Sequence, residues 1–129
     1  YSTPILHELC HHRELVSLDI HKEWMQRFLY LENRYHGFRL VNDWDNLPEY
    51  DMKWGLVFVD QDPVLSRKVS INALQDNTQL MVIHDVEKES WNSYRYEDCI
   101  PKFKYISYYR FHRIQTAICS NFINCSSWF

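Results

Sequence analysis

A chain of 129 residues, 46% hydrophobic and 24% charged, has room for one domain with one moderate core. Its formal net charge of -3 argues against a general binder of nucleic-acid backbone, because that work needs a basic surface. No apolar run approaches the roughly 18 residues of a membrane span, and the start does not read as a signal peptide.

Taken in chain order, Thr3-Pro4 reads as a helix start, with Ile5, Leu6 and Leu9 on an apolar face and a stop near His12. A chain that opens at a helix cap, with no strand before it, is expected to be truncated at its N-terminus. Residues 14–20 read as a strand closing in Asp19. Residues 21–33 read as a helix, because Trp24, Phe28 and Leu31 recur at spacings of three and four. A short strand over 38–41 runs into Asn42-Asp43-Trp44-Asp45, and a polar loop with Pro48 follows.

The run Gly55-Leu56-Val57-Phe58-Val59 ends abruptly in Asp60-Gln61-Asp62-Pro63. A short apolar run bounded by turn chemistry predicts a strand buried on both faces, as in parallel sheets. Pro63 and Val64 then start a helix to about Leu74, with Val69, Ile71 and Leu74 inward. A strand over 80–83 delivers His84-Asp85, a short helix is expected over 94–99 before Pro101, and residues 103–108 and 116–120 form two antiparallel strands. Helices alternating with strands in this order predict an α/β fold, a mostly parallel sheet with helices on both faces and an antiparallel C-terminal strand pair. Nothing marks a second domain within residues 1–129.

Open α/β sheets bind ligands beyond the carboxyl ends of their strands. Asp60, Asp62 and His84-Asp85 stand at such ends. The two Asp residues could hold a metal, act as a base, meet a sulfonium or amine, or simply cap the next helix. His84 could be a general base or a histidine satisfied by backbone. Neighbours on an extended strand point opposite ways, so His84 and Asp85 are not expected to bond each other.

Asp19 could accept from ribose hydroxyls or cap the helix after it. Trp44, beside Asp43 and Asp45, could cover a flat ring such as adenine or fill a core corner. His7, Cys10 and His11 share a predicted helix face, a weak zinc pattern without an obvious fourth ligand. Arg110, His112 and Arg113 make a basic loop, either a receiver for an anionic substrate or a solvated hairpin tip. Cys10, Cys99, Cys119 and Cys125 are scattered without paired spacing and read as reduced thiols of a cytoplasmic protein. Only Gly37 and Gly55 occur, so these residues hold no Gly-rich phosphate loop.

Several of these pieces together resemble class I S-adenosylmethionine-dependent methyltransferases. They are Ser2-Thr3-Pro4-Ile5-Leu6-His7-Glu8-Leu9-Cys10, Glu14-Leu15-Val16-Ser17-Leu18-Asp19, Val41-Asn42-Asp43-Trp44-Asp45, Trp54 to Asp60, Val82-Ile83-His84-Asp85, Tyr94-Arg95-Tyr96-Glu97 leading to Phe103-Lys104-Tyr105, and Ser120-Asn121-Phe122. The resemblance implies a Rossmann-like sheet with a reversed last strand, here without the first strand and its Gly-rich turn. It implies a cofactor, S-adenosylmethionine, contacted by Ser2, Thr3, Asp19, Asp43, Trp44 and Asp60. It places Asp60, His84 and Asp85 at the reaction centre, without a metal, since the turn Asp60-Gln61-Asp62-Pro63 lacks the histidine common in relatives. The implied activity is methylation of oxygen or nitrogen on a small molecule or glycan. The alternative is the same fold kept as a non-catalytic binding or interaction module.

Overall fold

The computed structural model describes residues 2–129. The chain forms two compact units, one reaching to Asp43 and one over Trp44–Phe129.

In the first unit, α1 (Ser2–Leu9) precedes β1 (Leu15–Asp19), α2 (Lys22–Gln26), a 3-10 turn (Leu29–Leu31) and β2 (His36–Leu40). β1 and β2 pair in parallel, with Leu15 opposite His36 and Asp19 opposite Leu40. Phe28, His36 and Val41 are buried. His36 is the unusual member, because an imidazole needs partners inside. One ring nitrogen lies 2.8 Å from the Ser17 hydroxyl and the other 2.9 Å from His7 Nδ1. Phe38 packs on its ring at 4.2 Å.

The second unit holds a 3-10 turn (Pro48–Asp51), β3 (Trp54–Val59), α3 (Ser66–Leu74), β4 (Thr78–His84) and α4 (Lys88–Ser93). Two further 3-10 turns (Tyr96–Asp98 and Ile100–Lys102), β5 (Tyr105–Tyr109) and β6 (Thr116–Ser120) complete it. The sheet order is β3-β4-β6-β5. β3 runs parallel to β4, while β6 is antiparallel to both β4 and β5. Three strands therefore point one way and β6 runs back between two of them. This is the α/β fold with an antiparallel C-terminal strand pair that the element order predicts, and the Rossmann-like arrangement with a reversed last strand that the resemblance implies. Along β4 burial alternates, with Met81 and Ile83 fully buried, as a pleat with a two-residue period requires. They pack with Val59, Ile71, Leu74, Tyr96, Ile100, Phe103, Ala117 and Cys119 in one core.

Several boundaries differ from the sequence reading. β3 is not buried on both faces: it is the edge of its sheet, Leu56 is 44% exposed, and only Val59 is buried. The helix expected over 21–33 closes at Gln26 and resumes only as the 3-10 turn, and Trp24 on its expected inner face is exposed. The helix expected from Pro63 begins at Ser66. The helix expected over 94–99 lies earlier, at Lys88–Ser93, because Arg95 takes a left-handed conformation that no α-helix passes through. α1 ends at Leu9, so Cys10 and His11 fall beyond the helix and lose the shared face that the zinc pattern needs. Among the described residues, the one group of three metal-type ligands is Asp60, His84 and Asp85. All four cysteines are free thiols, and burial raises Cys99 to about 11. Among the described residues no helix is long and apolar enough to cross a membrane.

Candidate active site

The parallel pairing of β3 and β4 sets Val59 opposite Ile83. The next residue on each strand, Asp60 and His84, therefore emerges at the same sheet edge. One step on, Asp85 adopts φ 58, a left-handed backbone that Asp tolerates better than most residues. This turn breaks the strand alternation. His84 Nδ1 then lies 3.0 Å from Asp85 Oδ1 and 3.2 Å from Asp60 Oδ1. The expectation that His84 and Asp85 stay apart is thus corrected, because strand geometry ends at His84. The buried Nδ1 thus sits within 3.2 Å of both carboxylates without a well-aligned hydrogen bond to either. Asp60 is the main cause that raises the His84 pKa above its ordinary value, burial opposes it, and Asp85 adds to the rise.

Arg67, on the first turn of α3, organises these groups. It is 3% exposed. Nη2 donates to Asp60 Oδ1 and Nη1 to Asp85 Oδ2, both at 3.1 Å. Nη1 also reaches the His84 carbonyl at 3.0 Å and the Tyr96 hydroxyl at 3.3 Å, while Nε donates to the Gln61 carbonyl at 2.9 Å. The Tyr94 ring lies 4.2 Å from the guanidinium carbon. Burial works against the Arg67 charge, but Tyr96, Tyr94 and Asp60 outweigh it and its pKa is raised. The Tyr96 hydroxyl donates to the His84 carbonyl at 3.0 Å, and burial pushes its own pKa up. Asp60 is 38% exposed, His84 33% and Asp85 21%, so the open side of the cluster presents Asp60 and His84.

Arg67 has no place in the sequence reading of the site, and Tyr94 and Tyr96 enter that reading only within the segments that carry the resemblance. A signal was present for Arg67. Residues 67, 70, 71 and 74 form one helical stripe, all buried, and the stripe begins with a cation. A charge on an inward face needs buried counter-charges, and the strand ends on either side supply them.

The remaining candidates divide between the units. In the first, Asp19 Oδ1 accepts from the His21 amide at 2.7 Å, a local turn contact just ahead of α2, whose N-terminus carries no side-chain cap, so the capping alternative does not hold. Thr3, Ser17 and Asp19 nonetheless line one recess of about 40 Å³. Ser2 lies in the first turn of α1, and Asp43 follows β2 in an exposed segment. In the second, Trp44 is buried and its indole donates to the Asp62 carbonyl at 2.7 Å, which ties the 44–50 segment to the turn after β3. A larger recess of about 460 Å³ is lined by Glu87, Lys88, Glu89, Arg113, Ile114 and Gln115. None of Asp60, Arg67, His84 or Asp85 lines it, so size alone does not mark the chemistry.

No family model matches this chain, and neither does any curated protein. Solved structures do match. A human methyltransferase 10 domain containing protein is similar over 84% of this chain and 60% of its own, at 10% identity and a TM-score of 0.54. A delta-N METTL16 MTase domain is similar over 85% of this chain and 64% of its own, at 9% identity and a TM-score of 0.53. The chain thus spans under two thirds of either structure. At such identity the likeness is one of backbone, and it shows that this chain has the fold of methyltransferase domains.

Proposed function

We propose that this chain is an S-adenosylmethionine-dependent methyltransferase that modifies an oxygen or nitrogen of a small molecule or glycan. The observation that carries the reading is the joint arrival of Asp60 and His84-Asp85 at the carboxyl ends of neighbouring parallel strands, in a fold shared with methyltransferase domains. The net charge of -3 argues against a nucleic-acid acceptor.

Thr3 and Asp19 suit the edge of a ribose. Their recess of about 40 Å³ has room for one small polar group rather than a ring, and a carboxylate and a hydroxyl line it. Ser2 and Asp43 complete that side of the reading. Trp44 has its N–H committed, so its part in adenine contact is through the ring face. S-adenosylmethionine, when bound, supplies a methyl group already activated on a sulfonium. What the protein adds is alignment, which can supply roughly 7–11 kcal/mol. It also adds proton removal, worth about 10²–10⁴-fold. Asp60, the most exposed of the three, accepts a hydrogen bond from the acceptor. His84 in its neutral form takes the proton. Asp85 and Arg67 hold His84 and Asp60 in place.

Calorimetric titration with S-adenosylhomocysteine tests the reading. Micromolar binding that Asp19→Ala abolishes, with an unchanged circular dichroism spectrum, supports it. Absence of binding by the folded chain favours the non-catalytic module instead.

A further inference from the structure

We propose that the Arg67 guanidinium holds the place a divalent cation would need among Asp60, His84 and Asp85, so that the centre works without a metal and meets its acceptor directly. The three side chains offer ligand atoms within 4.8 Å of one another, the spacing of a plausible cation site. Two of those ligands are already engaged. Asp60 Oδ1 and Asp85 Oδ2 each accept from Arg67 at 3.1 Å. An oxygen that coordinated a cation would set that cation beside the fixed, buried positive charge of Arg67.

The guanidinium is not free to move away. It is 3% exposed, and its nitrogens also donate to the carbonyls of Gln61 and His84 and to the Tyr96 hydroxyl. Tyr94 lies against its carbon. Swinging it out would strip two backbone carbonyls of a buried charged donor. The planar fork bridges two carboxylates from different strand ends, which a point charge on a flexible stem does less well. Arg67 is in these terms a positioning residue that acts through Asp60, His84 and Asp85. For the acceptor the consequence is chemical: a single hydroxyl or amine suffices, because no metal demands two adjacent donor atoms. That last point rests on the methyltransferase reading; the displacement of a cation by Arg67 does not.

The test uses manganese(II) chloride alone as probe, followed by calorimetry and by the electron paramagnetic resonance of free Mn²⁺. The wild-type chain is expected to show no saturable site. Arg67→Met is expected to gain one, tighter by at least about tenfold once the buried like charge is gone, and adding Asp60→Asn is expected to remove it. A wild-type chain that binds Mn²⁺ saturably, and loses it with Asp60→Asn, overturns the proposal. So does a folded Arg67→Met chain with no site. Should Arg67→Met fail to fold, Arg67→Gln, which keeps hydrogen-bonding atoms but not the charge, reads the same gain of a site. The cofactor titration reads a different ligand, so the two ideas fail separately.

Discussion

Removing one oxygen from Tyr96 tests how the cluster is held. The residue is fully buried, and its ring packs among Trp91 and Tyr94. Tyr96→Phe keeps the ring and opens no cavity. It deletes one hydrogen bond donated to the His84 carbonyl at 3.0 Å and one accepted from Arg67 at 3.3 Å, the second already long. Neither partner is orphaned. The His84 carbonyl keeps Arg67 Nη1 at 3.0 Å, and Nη1 keeps both that carbonyl and Asp85. The cost is therefore that of one net hydrogen bond, about 1 kcal/mol. For a chain of this length that lowers the melting temperature by about 4 °C. Tyr96→Ala, which empties the ring's space, should cost about 3–5 kcal/mol. Urea unfolding followed by tryptophan fluorescence reads both, because Trp44, Trp54, Trp91 and Trp128 all lie in the second unit. An unchanged slope with a lower midpoint is expected for Tyr96→Phe. A loss near that of Tyr96→Ala would refute the reasoning, since it would mean that Arg67 depends on this hydroxyl alone. No loss at all would mean that the hydroxyl makes no bond.

Other outcomes follow from the titrating groups. If His84 is the base, it works only when neutral. Its pKa is raised chiefly by Asp60, so turnover should fall as pH drops through a midpoint above 6.5. Asp60→Asn should move that midpoint down, and His84→Asn should cut turnover far more than cofactor affinity; a midpoint at or below 6.5 in the wild type would remove His84 from the role. His36 behaves oppositely, because burial first and His7 second lower its folded pKa beneath the ordinary 6.5. The unfolded chain then binds the proton more readily. Stability is intact above about pH 6.5 and declines as pH falls toward the lower folded value. Urea midpoints measured from pH 8 to pH 5 should show this decline, and His36→Gln should flatten it.

The order of elements was legible because it rests on local signals. Polar clusters, with Pro63 after β3, separate the strands, and strands β1, β3 and β6 lie within a residue or so of their expected ends. Burial was less legible. The run Gly55–Val59 carries no charge, yet it forms a sheet edge, and composition cannot tell an edge from a centre when its neighbour is set by long-range pairing. The helix after His21 is shorter than its apolar period, which extends through Phe28 and Leu31. The backbone instead closes after Gln26 and turns again only at Leu29.

The site divides in the same way. Asp60 and His84-Asp85 could be found because each ends an apolar strand, and two parallel neighbours must deliver their ends to one edge. Their mutual contact could not, because it depends on one left-handed residue, Asp85, and strand periodicity gives no warning of where it stops. Arg67 was hidden for a different reason. Its meaning lies in what faces it, and its partners come from Asp60, Gln61, His84, Asp85 and Tyr96, residues up to 29 positions away. A buried arginine is stable only when such partners converge. The convergence itself is thus the signal. A cation at the start of an otherwise inward helical stripe, flanked in sequence by two strands that end in carboxylates, fixes where its counter-charges must be before any distance is measured. Arg67 engages one oxygen of each carboxylate from within the core, and Asp60 and His84 keep the larger exposed share of the cluster.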